Sequence, residues 1–195
     1  MSANVQCYFV PSTKDVPNNR LPILHYRNVL PEPVNEETAT QFLTSNKWEK
    51  RGTWGHIGIR HFHPNSHECY GKSALLKFYL MHFYSLPCLG IFQGHSKLLL
   101  GRIQDGNGLE VDVKTGDVIV LPAGTAHSSL QSSPDYRYIG VYPQGCPKWR
   151  NEMGKKPASS FKETIRSVEM PEQDPVYGEN GPLVQLWQPD ILAKL

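Results

Sequence analysis

A chain of 195 residues, 39% hydrophobic and 19% charged, can bury one sizeable core, and its composition is that of a globular domain rather than a disordered segment. The formal net charge of +2, with Lys and Arg scattered and no basic block, gives no footing for nucleic acid or an anionic membrane. Sixteen Gly and sixteen Pro favour short strands and tight turns over a helix bundle.

Taken in chain order, Met1–Gln6 has neither the basic nor the apolar region of a secretory signal, so a cytoplasmic location is expected. The four cysteines (Cys7, Cys69, Cys88, Cys146) form no CxxC pair and are expected to be reduced, with Cys146 exposed in its Gly-Cys-Pro turn. Residues 1–54 read as an N-terminal arm: a strand at Val5–Val10, a Pro/Asn-rich turn, and one helix. That helix is predicted to start near Asn35, whose side chain can cap it. Glu36 and Glu37 then fall in the first turn, where the helix dipole favours acids, and the helix ends near Asn46.

From Gly55 to Tyr142 the pattern changes to short alternating or β-branched runs: Ile57–His63, Ser96–Leu100, Leu109–Val113, Asp117–Leu121 and Tyr136–Tyr142. Asp105-Gly106-Asn107-Gly108 is a strong turn signal between two of them. Strands at this spacing predict a sandwich or barrel core over residues 55–142. Residues 143–195 read as an ordered extension packed on the barrel through Val176, Leu183, Leu186 and Trp187.

The chemistry concentrates in two places. His61 and His63 stand at i and i+2, so on a strand both imidazoles share one face, and Ile57 and Ile59 fall on that face too. Glu68 follows a Pro64–His67 turn and can aim a carboxylate at the same two nitrogens. A later run, Val118–Leu121, ends in Pro122-Ala123-Gly124-Thr125-Ala126-His127, whose turn and returning strand would bring His127 back to them. Three imidazoles and a carboxylate suit one divalent ion of Fe, Mn, Ni, Co or Zn, and leave two octahedral positions for small ligands. His56, His82 and His95 read as ordinary polar residues; His67, beside Glu68 but pointing the other way, is a pocket candidate.

At these residues the chain resembles the cupin superfamily, the RmlC-like jelly rolls. Gly55-x5-His61-x-His63-x4-Glu68 looks like the first cupin motif, and Gly116-x5-Pro122-x-Gly124-x2-His127 looks like the second. The phrase His61–Glu68 and the late Asp174-Pro-Val-Tyr-Gly178 resemble a microbial single-domain subfamily with no assigned reaction. Gln131 stands where the second motif usually has Asn. The resemblance implies an all-β double-stranded β-helix, the cupin jelly-roll barrel, with metal on His61, His63, Glu68 and His127. It also implies an oxygenase, decarboxylase or isomerase acting on a small molecule, or else a non-catalytic metal- or ligand-sensing barrel. Tyr70, which shares parity with Glu68, and Gln131, four residues after His127, are further pocket candidates, and no catalytic residue is assigned. Small molecules are the expected partners, with neither nucleic acid nor membrane, and a homodimer is an open option.

One segment breaks the pattern. The first motif should run from its Glu through six residues to a Gly, but Lys72–Gly90 intervenes; without those nineteen residues the text reads Glu-Cys-Tyr-Gly-Ile-Phe-Gln-Gly, and the motif is restored. Gly71-Lys72-Ser73 can be written G-GTAAGT-C and Leu89-Gly90 can be written CTAG-G, the start and end of a common intron. Lys72–Gly90 is therefore read as an in-frame intron retained from a fungal-type gene, ahead of a genuine inserted hairpin or a membrane segment.

Overall fold

A computed structural model of the chain describes residues 5–65 and 88–188. Among the described residues, nine strands form two antiparallel sheets. In chain order they are β1 (Val5–Tyr8), β2 (Ile23–Tyr26), β3 (Trp48–Trp54), β4 (Cys88–Gln93), β5 (His95–Leu100), β6 (Leu109–Lys114), β7 (Val118–Val120), β8 (His127–Ser132) and β9 (Arg137–Pro143). The larger sheet has the order β1-β2-β7-β4-β9-β3 and the smaller one β6-β5-β8. Helices are few: α1 (Glu36–Thr44), a 3-10 turn at Ala158–Phe161, α2 (Lys162–Arg166) and α3 (Pro182–Leu186). The chain has an all-β jelly-roll architecture.

The central strands of the larger sheet, β2, β7, β4 and β9, are buried on both faces, which explains their apolar runs. Leu89, Ile91, Ile119, Leu121, Tyr136 and Tyr138 point between the sheets, where they meet Leu98, Leu100, Val111 and Val113. Their neighbours Cys88, Val118, Val120, Ile139 and Val141 point the other way, onto Leu43, Trp48, Val176, Leu183 and Trp187. The smaller sheet is wet on one face: in β6, Val111 and Val113 are buried while Glu110, Asp112 and Lys114 are exposed.

Residues 1–54 are not an arm. They supply β1, β2 and β3, three of the six strands of the larger sheet, with β2 hydrogen-bonded to β7 and β3 to β9. The sequence showed little of this because β2 has only four residues and sits among prolines, and β3 is charged (Trp-Glu-Lys-Arg-Gly-Thr-Trp). Helix α1 does start as read. Asn35 caps it, its side chain accepting from the Thr38 amide at 3.0 Å while the Thr38 hydroxyl oxygen accepts from the Asn35 amide at 3.2 Å.

The C-terminal extension is ordered through Trp187 and wraps the outer face of the larger sheet. Its anchor is Asp174, fully buried, which accepts from the Tyr26 hydroxyl at 2.6 Å and from the Val176, Tyr177 and Leu183 amides at 2.8, 3.0 and 2.8 Å. Burial, reinforced by the carboxylate beside it, pushes the Tyr26 phenol far up, so it acts only as a donor. The Trp187 indole N–H closes the wrap on the Pro22 carbonyl at 3.0 Å. Cys146, expected to be exposed, is buried with Tyr142 and Trp149.

Of Lys72–Gly90, only Cys88–Gly90 falls within the described residues, and these three begin β4. Cys88 pairs with Val120 and Val141, Leu89 with Ile119 and Gly140, and Gly90 with Val118 and Ile139. Strand β4 is thus central, flanked by β7 and β9. A Cβ at Gly90 would sit 2.6 Å from Leu43 Cδ1, so a larger residue there would push the Leu43 side chain aside.

Candidate metal centre

The segment carrying His61 and His63, predicted as a strand over Ile57–His63, is extended but not regular. Two hydrogen-bonding points tie it to β8: the Ser129 amide donates to the Ile57 carbonyl at 2.6 Å, and His61 and His127 exchange both backbone bonds, at 3.3 and 2.9 Å. Three residues therefore lie between Ile57 and His61 where β8 has only Ser128 between His127 and Ser129, so Gly58-Ile59-Arg60 bulges outward. The bulge turns Ile59 out to 62% exposure, so it does not share the interior face as expected, whereas Ile57 still packs inward.

Beyond the bulge the trio assembles. One nitrogen from each of His61, His63 and His127 lies within 4.8 Å of the other two, and His61 and His63 are buried. The turn before His127 is welded to His63, whose carbonyl accepts from the Gly124 amide at 2.8 Å. Gly124 has φ +78°, and a Cβ there would come 2.5 Å from Ile165 Cδ1, so the turn requires glycine.

Each ring is also oriented from behind. His61 Nδ1 bonds the Ile59 carbonyl at 2.7 Å, His63 Nδ1 the Arg150 carbonyl at 3.1 Å, and His127 Nδ1 the Thr125 carbonyl at 3.1 Å. A carbonyl only accepts, so each Nδ1 carries the proton and each neutral ring keeps its Nε2 lone pair. Three nitrogens gathered in this way could hold a cation, and backbone carbonyls behind metal-bound imidazoles are the usual support. Two nitrogens bound at about 2.1 Å can be no more than about 4.2 Å apart, so loading asks for only a small inward shift. The residues present fit a divalent ion, and the His61, His63, His127 cluster could hold one.

Glu68, His67 and Tyr70 lie outside the described residues. Gln131 is exposed and does not line the site. The β5–β8 register slips between Lys97 and Leu98, leaving Leu130 as the extra residue between Ser129 and Gln131, so counting four from His127 fails. His56 bonds Ser132 Oγ at 2.9 Å and His95 is exposed, neither joining the trio. His82 lies outside the described residues.

Beside the trio is a small cavity walled by Ile57, Leu89, Leu98 and Leu121 and lined also by His61, His127, Ser128, Ser129, Tyr136 and Tyr138. Sequence reading missed the two tyrosines, although the alternation of Tyr136 and Tyr138 at the start of β9 could have placed both on the interior face. A wide surface groove between residues 10–20 and 157–166 is lined by none of the three histidines. A second buried histidine was also missed: His25 on β2 bonds Asp117 at 3.1 Å, both fully buried. Burial alone would raise the Asp117 carboxyl, but His25 and the Asn28 and Lys114 amides outweigh it and hold it low. This pair sits beside the start of β7, where Asp117 also accepts from Arg27 at 3.3 Å, and does not join the trio.

Comparison with known proteins adds the following. No family model matches the chain. It is 28% identical over 192 residues to the uncharacterized protein YjlB of Bacillus subtilis (strain 168), across 96% of this chain and 99% of that one. Among solved structures, RmlC from Streptococcus suis in complex with dTDP-D-xylose overlays with a TM-score of 0.37 and 14% identity, over 93% of this chain and 97% of that one. Procruciferin, an 11S globulin from Brassica napus, overlays with a TM-score of 0.34 and 10% identity, over 69% of this chain and only 23% of that one. The jelly-roll description rests on the chain's own two sheets rather than on these loose overlays. The sequence relative is bacterial, so nothing in the comparisons supports a fungal gene. Among the described residues, no helix is long and apolar enough to cross a membrane.

Proposed function

We propose that this protein is a metal-binding cupin that uses one divalent ion on His61, His63 and His127, with Glu68 as fourth ligand, to act on a small molecule. The observation that carries the reading is the shared orientation of the three imidazoles, each tied through Nδ1 to a carbonyl and so offering Nε2 to a common point. The two motif spacings support it independently.

When bound, the metal supplies Lewis-acid or redox chemistry at positions the protein leaves open. The chain's own residues do the rest. Leu89, Leu98 and Leu121 keep water scarce beside the site, which strengthens every polar contact there. The tyrosines and Ser128 and Ser129 bring polar groups to an otherwise apolar wall. A sensing barrel would need the same ion, so turnover across a substrate panel, abolished in His61→Ala, separates enzyme from sensor.

The decisive experiment is elemental metal content by plasma mass spectrometry, on the full chain and on a chain lacking Lys72–Gly90. The shortened chain is expected to fold and to hold about one ion. Joining Gly71 to Ile91 puts Cys-Tyr-Gly in place of Cys88-Leu89-Gly90. The fully buried Cys and the Gly packed against Leu43 are thereby both retained, and only the residue between them changes. Metal in the short chain alone favours the retained-intron reading; metal in both makes the insertion a genuine, tolerated one. A well-folded short chain that stays empty after reconstitution rejects the ligand assignment.

Acid should release the ion. The imidazoles must be neutral to bind, so metal affinity is expected to fall steeply below about pH 6. Occupancy held constant about a unit lower, followed by competition with a chelator, would argue against histidine ligation.

A further inference from the structure

Asn18 ties the N-terminal Pro/Asn-rich turn to the segment that carries His127. It is 8% exposed and has φ +39°, a left-handed conformation that Asn tolerates better than most residues. Its Nδ2 donates to the Pro11 carbonyl at 2.6 Å and to the Gly101 carbonyl at 2.8 Å, while its Oδ1 accepts from the Ala126 amide at 3.2 Å. Carbonyls only accept and an amide N–H only donates, so these partners fix which end of the side chain is oxygen. The Asn18 backbone N–H donates to the Gly124 carbonyl at 3.1 Å. One residue thus holds the turn on both sides of Thr125, from 108 residues away in the chain.

The consequence lies in one peptide plane. The Thr125 carbonyl and the Ala126 N–H belong to the same planar unit and point in opposite directions. That carbonyl accepts from His127 Nδ1 at 3.1 Å. Gripping the N–H on one side therefore aims the carbonyl on the other, and the carbonyl sets the tautomer and orientation of the His127 ring. The hydrogen bonds run in series from the Pro11 and Gly101 carbonyls through the Asn18 amide and the Thr125–Ala126 peptide to His127, each polarising the next. Asn19 provides the contrast: its Nδ2 donates to the Ala123 carbonyl at 3.2 Å, so it holds the same turn but not the peptide that faces His127. His61 and His63 lean on the Ile59 and Arg150 carbonyls, to which Asn18 does not bond.

Resting on the metal reading above, we propose that Asn18 is a positioning residue for the metal ligand His127: through the Thr125–Ala126 peptide it holds the ring in its Nδ1–H form with Nε2 turned to the ion. It touches neither the ion nor a substrate. The role needs an amide, because only that group offers two donors to the Pro11 and Gly101 carbonyls and an acceptor to the Ala126 N–H at once. A carboxylate of the same shape would set an oxygen against two carbonyls.

The test compares the full chain with Asn18→Gly, which accepts the left-handed backbone and removes the side chain, and with Asn19→Ala, which loosens the same turn. Long-range proton–nitrogen spectra of the histidine rings, taken on the metal-free proteins at mildly alkaline pH, read each tautomer. His127 is expected in its Nδ1–H form in the parent and in Asn19→Ala, and as a mixture of tautomers in Asn18→Gly, with His61 and His63 unchanged throughout. Zinc affinity, read by chelator competition, should fall about tenfold in Asn18→Gly and less than about twofold in Asn19→Ala. In the unsubstituted protein, zinc should shift the Asn18 side-chain amide resonances and leave those of Asn19 in place, a readout that does not depend on a variant folding. Parent-like tautomer and zinc affinity in Asn18→Gly, all three rings altered together, or Asn18 resonances that ignore zinc overturn the proposal while leaving the metal site standing. A parent chain that takes up no zinc overturns the metal reading and this inference with it.

Discussion

His61→Ala is expected to weaken metal binding by about 10²-fold or more. Structural metal sites with four ligands are worth roughly 10–16 kcal/mol at neutral pH, so one ligand carries about 3 kcal/mol. His61 is central to the arrangement: it touches both other imidazoles, with ring centroids 5.0 Å from His63 and 4.5 Å from His127. Its backbone also exchanges hydrogen bonds with His127, contacts that do not depend on the side chain and survive the substitution. Metal titration against a chelator of known affinity reads the loss directly. The exposed His95→Ala serves as control and should bind as the parent does. Equal affinity in His61→Ala and the parent would mean that the ion, if bound, sits elsewhere.

Asp174→Ala is expected to cost about 4 kcal/mol of folding stability, the largest effect of any single change remote from the trio. The substitution strands the Tyr26 hydroxyl and three amides, each a donor in a buried place, and a buried donor without an acceptor costs about 1–3 kcal/mol. Some water will enter, so the sum is less than four full penalties. The loss reaches beyond the loop, because Asp174 holds Val176 and Leu183 on the outer face of the larger sheet, against the same cluster that receives Cys88, Ile139 and Val141. Chemical denaturation of the parent, Asp174→Ala and Tyr26→Phe should order them, with Tyr26→Phe closer to the parent. A loss under about 1 kcal/mol for Asp174→Ala would show that the extension is not held through this carboxylate.

The two observations about the trio and the extension have different visibility in the sequence. His61 and His63 at i and i+2 needed only strand parity, and the Pro122–His127 run after β7 needed only turn chemistry, so both halves of the site could be read locally. The same parity argument misplaced Ile59 and Gln131, because Ile59 lies within a bulge and Gln131 past one, and only the partner strand reveals either. Tyr136 was legible as an interior residue but not as part of the wall beside the trio, which depends on where Leu98 and Leu121 arrive from other strands.

What the sequence determined by itself were the features set within a few residues: the capping box that starts α1, the turn-rich all-β pattern of the middle strands, and the two histidine motifs. Only the tertiary structure decided that residues 1–54 build half of the larger sheet, that Cys88–Gly90 form a central strand, and that the Nδ1 atoms of the trio meet carbonyls contributed by Ile59, Thr125 and Arg150. The physical reason is range. Capping and turn preferences act over three or four residues, whereas a short strand such as β2 owes its conformation to neighbours nearly a hundred residues away, and its own composition carries no trace of them.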